Sequence, residues 1–246
     1  MSYKSPIEDF KYNLAMLNYD EVIAGIDKFK DYDSDTLMSV VSEIGRLNEL
    51  EVVDSNKIGD REGLKYLPDG PEGPEVHTPE SFKKIYEVVK DSGYVGATMP
   101  TQYGGGGAPF TTAILAGEVG IASNMAFYMG PGLSHGAMKT ILKKATEELK
   151  DKYLPNMTSG EWMGTMCLTE PQCGTDLGLI KSTAKPVDDH YELNGQKIWI
   201  SFGEHDLTEN IIHLVLARTP DAPAGIKGIS LFLVPKRLDD NSRNPI

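Results

Sequence analysis

Two short segments, 166–176 and 194–201, hold the residues best suited to chemistry. In Met166-Cys167-Leu168-Thr169-Glu170-Pro171-Gln172-Cys173-Gly174-Thr175-Asp176 an apolar run passes into a polar turn. Thr169 and Thr175 offer hydroxyls, and Gly174 lets backbone amides come close to a ligand. By itself the segment matches many loops that follow strands. In the second segment, Asn194-Gly195 suits a two-residue type I′ turn and predicts a hairpin over 191–201. Alternation on its second strand puts Lys197, Trp199 and Ser201 on one face, and Ile198 and Ile200 on the other. A large ring beside a hydroxyl suits a planar heteroaromatic ligand, which the indole can pack against and the hydroxyl can bond. The same pattern also suits Trp199 as a core residue of a barrel.

Other candidates read as structural. Cys167 and Cys173 lack metal-ligand spacing and companion histidines, so two reduced thiols are expected. Gly104-Gly105-Gly106-Gly107 has no following Lys-Ser/Thr, which excludes a phosphate loop. His135 and His205 read as hydrogen-bonding residues and Glu170 as a conformational one. A net charge of −12 over 246 residues opposes nucleic-acid binding, and the pairs Lys83-Lys84 and Lys143-Lys144 read as solvated helix faces. The first residues lack the apolar core of a signal peptide and no run approaches a membrane span, so a cytoplasmic protein is expected.

These segments need a scaffold, and the periodicity describes one. Helical spacing recurs over 7–29 and, behind Ser34 as N-cap, over 34–50 with Leu37, Val40, Val41, Ile44 and Leu47 as the apolar stripe. Glycines and prolines over 55–77 predict an exposed loop. Thr78 as cap, Pro79 at the first turn and Gly93 as terminator bracket a helix burying Phe82, Ile85, Tyr86 and Val89. A small-residue helix over 110–126 and an amphipathic one reaching Pro155 follow. After Pro155 the period becomes two, with strands over 162–168, 211–218 and 229–234 besides the hairpin. A helical block followed by a β block predicts an α+β chain of two domains. The first spans 1–155, with a leading helical extension over 1–54 and the loop over 55–77; the second spans 156–246.

In order and spacing, Leu-Thr-Glu-Pro-x-x-Gly-Thr-Asp at 168–176 and Asn-Gly-x-Lys-x-Trp-Ile-Ser at 194–201 resemble the middle domain of acyl-CoA dehydrogenases. Gly93-Tyr94-Val95-Gly96, Pro100-x-x-Tyr103-Gly104-Gly105 and Glu118 resemble that family's N-terminal helical domain. The leading helices, His135 in its Pro131–Gly136 context and Gly203-Glu204-His205-Asp206-Leu207 resemble the subgroup of methylmercaptopropionyl-CoA dehydrogenase-like bacterial enzymes. The resemblance implies an all-helical domain, then an antiparallel β-barrel-like domain, with the family's C-terminal helical bundle absent from this chain. It implies FAD as cofactor, lined by Met166, Cys167, Leu168, Thr169, Gly174 and Thr175, with Thr169 near the flavin's pyrimidine side. Thr175 replaces the family's usual Ser, and would contact both the FAD pyrophosphate and the acyl-CoA. Trp199 and Ile200 would lie beside the flavin, and Ser201, usually Thr in the family, near its N5. The glycines over 104–107 become a flexible connection near the acyl pocket.

The implied reaction is oxidation of an acyl-CoA to a 2-enoyl-CoA, with electrons passed to electron-transfer flavoprotein and a homo-oligomer as the assembly. It needs a carboxylate base, which in the family lies in the C-terminal domain, so no catalytic residue is assigned. The chain is therefore expected to be part of a longer or split enzyme and inactive alone. An oxygen-using oxidase and a noncatalytic flavin-binding or scaffold protein stand as alternatives.

Overall fold

The computed structural model describes residues 3–245. Its first helices are α1 (Ile7–Met16), α2 (Ser34–Leu47) and α3 (Val53–Glu62), linked by π-helical turns at Asp20–Ala24 and Asn48–Val52. Asp33 rather than Ser34 caps α2, its carboxylate accepting from the Thr36 amide at 2.8 Å. Phe10, Leu14, Leu37, Val41 and Ile44 of α1 and α2 form a small core with Ala116 and Val119. Val40, expected in the stripe, faces outward.

The stretch 55–77 is not a loop. The end of α3 is followed by an antiparallel hairpin, β1 (Lys65–Gly70) and β2 (Gly73–His77). Its glycines mark a helix end at Gly63 (φ 66°) and a turn at Gly73 (φ 107°), not irregular chain.

Helix α4 (Glu80–Asp91) buries the four residues expected of it, Phe82, Ile85, Tyr86 and Val89, and Gly93 takes the left-handed position beyond its end. Pro79, not Thr78, stands at its cap. The glycines at 104–107 are not a loose connection. The Gly105, Gly106, Gly107 and Ala108 amides donate to carbonyls of Pro100, Gly96, Met99 and Ala97, and a Cβ on Gly105 would stand 2.1 Å from the Met99 carbonyl oxygen.

The helix expected over 110–126 is the first part of α5 (Phe110–Lys144), which is broken where Asn124 takes φ −155°, ψ 87°, and the helix expected to reach Pro155 is interrupted at Ala145-Thr146, between α5 and the next helix. Phe110 stacks on His135 across the break, so the two parts fold back on each other. Asn124 is fully buried and caps the second part: its side chain accepts from the Phe127 amide at 3.1 Å and donates to Ser55 at 2.8 Å. Ser123 donates to Asn48 at 2.7 Å, closing a polar network that satisfies the break internally. By length and composition α5 could cross a membrane, against the expectation that no run approaches one. Here its buried residues pack on α2, α3 and the first strand of the β domain.

Helix α6 (Glu147–Ser159) runs through Pro155, and the chain then enters β3 (Trp162–Cys167). The remaining strands are β4 (Thr183–Val187), β5 (His190–Asn194), β6 (Asn210–Ala217) and β7 (Ser230–Pro235). The chain is α+β as expected, but the β1–β2 hairpin between α3 and α4 means that its first part is not all-helical. The described residues form no closed barrel, and the sheet is not wholly antiparallel. Its order is β3-β6-β7, with β3 and β6 parallel and β6 and β7 antiparallel, while β4-β5 is a separate pair. The physical reason is the long connection between β3 and β6, which returns the chain to its starting edge before β6 begins.

The expected 191–201 hairpin is displaced as well. Strand β5 ends at Asn194, its partner is β4, and the turn is Asp188-Asp189 with Asp188 at φ 48°. Gly195 serves close approach instead: a Cβ there would lie 2.2 Å from Ser182 Oγ. Residues 196–201 lie outside any strand, so the expected face of Lys197, Trp199 and Ser201 does not exist.

The main core joins α4, α5 and α6 to one face of the sheet, with Phe127 at its centre, fully buried and edge-on to Phe82, Tyr86 and Tyr128 at 5.6, 6.4 and 5.2 Å. Phe127→Ala should cost about 3–5 kcal/mol by urea denaturation. A loss under about 1 kcal/mol would show that this cluster does not hold the two layers together.

Candidate functional site

The two motif segments meet through one buried carboxylate. Glu170, 3% exposed, accepts from Lys197 Nζ at 2.8 Å, Gln172 Nε2 at 2.6 Å, and the Lys181 and Ser182 amides at 2.7 and 3.1 Å. Lys197 also donates to the Leu168 carbonyl at 3.1 Å, and the Ile198 amide to the Thr169 carbonyl at 2.9 Å. Residues 168–170 thus lie against 197–198 without any sheet pairing. Burial alone would raise the Glu170 carboxyl, but hydrogen bonds from Lys197, Ser182, Lys181 and Gln172 outweigh it and hold the group at about 2. Glu170 is therefore an ionised structural anion, unsuited to act as a proton-transferring base near neutral pH.

Glu170 and Cys173 also exchange backbone hydrogen bonds, at 2.9 and 3.0 Å, which bends 170–173 into a tight turn. Gly174 follows, exposed, 3.7 Å (as an added Cβ) from the Thr169 side chain, and Thr175 is exposed beside it. Asp176 accepts from the Gly178 amide at 3.0 Å and shapes the next turn. Arg218 fixes the far side by donating to the Ile180 and Gly178 carbonyls at 2.9 and 2.8 Å and to that of Pro223 at 3.2 Å. An isolated arginine in an acidic sequence gave no signal of this.

The expected residues do not all share one surface. The Met166 side chain packs against the main core, whereas Cys167 points to the opposite face of β3, beside Thr165 and 3.9 Å from His213 Nδ1. Burial pushes the Cys167 thiol up, and Cys173 is likewise free and buried. Leu168, Thr169, Ile200 and Ser201 are half-buried, and none of the Thr169, Thr175 or Ser201 hydroxyls is a buried orphan.

Trp199 is the most unusual residue. Its side chain is 87% exposed, and its φ of 61° lies in the left-handed region, as does that of Phe202 at 53°. Both conformations are costly for bulky side chains and persist only when surroundings impose them. An exposed indole held in such a conformation, two residues from Ser201 and next to the Ile198 amide that bonds the Thr169 carbonyl, fits a planar ring with polar edges. The donor set thus fits a flavin nucleotide. No group of three or more potential metal ligands exists among the described residues.

His135 and His205 are structural. His135 pairs with Thr98 Oγ1 at 2.7 Å, and burial pushes its imidazole down. His205 accepts from the Leu207 amide at 3.2 Å through Nδ1, and burial lowers it to about 3.

Comparison with known proteins agrees with these segments. Residues 71–161 match the family model for the acyl-CoA dehydrogenase N-terminal domain, and residues 165–245 that for the acyl-CoA dehydrogenase middle domain. The chain is 38% identical to 3-methylmercaptopropionyl-CoA dehydrogenase of Ruegeria pomeroyi over 97% of its own length and 40% of the relative's. It thus spans about two-fifths of that curated relative. A solved acyl-CoA dehydrogenase from Geobacillus kaustophilus superposes with TM-score 0.67 at 25% identity, over 82% of this chain and 48% of that one. An acyl-CoA dehydrogenase from Bacillus anthracis, solved in complex with FAD, gives TM-score 0.64 at 24% identity over 84% and 32%.

Because its folded-state carboxyl is depressed below the ordinary 4.5, Glu170 contributes stability that is complete above that value and lost as pH falls through about 2. Lys197→Met leaves the carboxylate buried without its cation and should cost about 3–5 kcal/mol at pH 7. The gap between wild type and variant should shrink on acidification as Glu170 takes up a proton. Denaturation curves at several pH values check this; a pH-independent gap refutes the role given to the pair.

Proposed function

The chain belongs to the acyl-CoA dehydrogenase family, and from that premise we propose that it supplies one wall of a flavin site in an enzyme oxidising an acyl-CoA to a 2-enoyl-CoA. When bound, FAD supplies the hydride acceptor that this reaction requires. The observation that carries the proposal is the exposed, conformationally constrained Trp199 beside the Thr169 turn. Trp199 and Ile200 pack beside the flavin rings, and burial of the indole offsets the cost of its backbone conformation. Ser201 presents a hydroxyl toward N5, where a donor stabilises added electron density. Thr169 bonds the pyrimidine side, and Thr175 serves the pyrophosphate and the acyl-CoA. Gly174 and the backbone of 166–168 complete the wall, since the Met166 and Cys167 side chains are turned away.

No residue of this chain is given the removal of the α-proton. The one buried carboxylate of the motif, Glu170, is committed to Lys197 and three further donors. Electron-transfer flavoprotein as acceptor, a homo-oligomeric assembly and a cytoplasmic setting complete the proposal.

Anaerobic addition of an acyl-CoA panel to the flavin-loaded protein with its natural base-bearing partner region should bleach the flavin with at least one member. Ser201→Ala should weaken FAD binding about tenfold, as loss of one hydrogen bond to a polar ring edge would. Protein that takes up no flavin, or holds flavin that no acyl-CoA reduces, defeats the proposal.

A further inference from the structure

The segment carrying Ser201 does not hold its own shape. Residues 196–209 form no strand or helix, and left-handed Trp199 and Phe202 lie on either side of Ile200 and Ser201. Phe202 packs so closely on α5 that a Cβ at Gly130 would stand 2.9 Å from its ring. The other side is open: a cavity of about 400 Å³ is lined by Ser201, Phe202, Glu204 and His205 together with Phe82 and Met129. Packing therefore supports the segment from one side, and polar anchors must fix the rest.

Upstream, those anchors are the Lys197–Glu170 pair and the Ile198–Thr169 hydrogen bond. Downstream, consecutive side chains grip different parts of the fold. The Glu204 carboxylate holds Lys236, just beyond β7, and Arg243 at 2.9 Å. Asp206 reaches the helical layer. Its Oδ1 accepts from both the amide and the hydroxyl of Thr78, at 2.9 and 2.7 Å, and its Oδ2 lies 2.9 Å from Lys83 Nζ and 3.2 Å from His77 Nδ1. Thr78 lies two residues before α4, so Asp206 seats a carboxylate at the positive end of that helix.

We infer that Asp206 is a positioning residue for Ser201, clamping the 199–206 segment to the start of α4 so that the Ser201 hydroxyl is held at the flavin edge. The inference rests on the flavin reading above. The clamp has a two-part design. Thr78 sets the position through two hydrogen bonds to one oxygen, and Lys83 adds charge through the other. Asp206→Asn keeps an oxygen for Thr78 and loses the Lys83 pair, whereas Asp206→Ala loses both.

The test compares Asp206→Ala, Asp206→Asn, Ser201→Ala and the double variant Asp206→Ala/Ser201→Ala. In the flavin-free protein, hydrogen exchange over 199–205 should quicken at least tenfold in Asp206→Ala and much less in Asp206→Asn. With flavin, Asp206→Ala should raise the FAD dissociation constant about tenfold and alter the visible flavin spectrum, and Asp206→Asn should restore most of both. If Asp206 acts through Ser201, the double variant binds FAD no more weakly than Ser201→Ala. A merely structural role would lower the melting temperature while leaving the two losses additive. Additive losses, or unchanged exchange over 199–205, overturn the inference while leaving the flavin site standing. Wild-type protein that binds no flavin overturns both.

Discussion

A carboxylate out of water must be compensated, and in this chain that requirement organises the β domain. Glu170 is almost completely buried and accepts from a lysine, an amide side chain and two backbone amides drawn from three separate stretches of sequence. Each donor brings its own segment: Lys197 the approach to Trp199, and Lys181 and Ser182 the entry to β4. Removing Lys197 would leave the charge without its cation, and losing the other donors would leave its lone pairs short of partners, so the segments are held by the cost of separating them.

The conformation of Trp199 follows from that constraint. With Lys197 drawn inward to Glu170 and Ile198 tied to Thr169, the chain turns outward at Trp199 and back again at Phe202. Left-handed backbone at two bulky residues is tolerated because anchors on both sides impose it. The outcome is a large aromatic surface facing outward next to hydroxyls and a glycine, an arrangement a planar cofactor would complete.

Buried polarity does comparable work in the helical layer. Asn124 breaks α5 and satisfies part of the break with its own side-chain amide, which donates to Ser55 and accepts from the Phe127 amide at the start of the second part. The second part then carries Phe127 into the core and packs beside β3, which leads into the Glu170 turn. The helical core is thus mechanically continuous with the Glu170 turn.

The sequence alone determined the helical elements whose apolar period was regular, such as α4 with Phe82, Ile85, Tyr86 and Val89, and the strands around Trp162, Ile211 and Leu231. It also determined the family, because Leu168–Asp176 and Asn194–Ser201 carry distinctive residues at distinctive spacing. Local pattern failed where geometry depends on distant partners. Asn194-Gly195 has the composition of a hairpin turn, yet Gly195 is needed for its approach to Ser182, and the turn lies at Asp188. Alternation placed Trp199 and Ser201 on a strand face, whereas they lie in irregular backbone that Lys197 and Ile198 tie to the Thr169 turn. Glycines over 55–77 read as loop although they end a helix and turn a hairpin. Parallel pairing of β3 with β6 had no local signal, since strand direction is set by the path between strands. Periodicity reports which side of an element is buried; only the tertiary structure decides what a buried charge pulls toward it, and here that charge brings the two motif segments together.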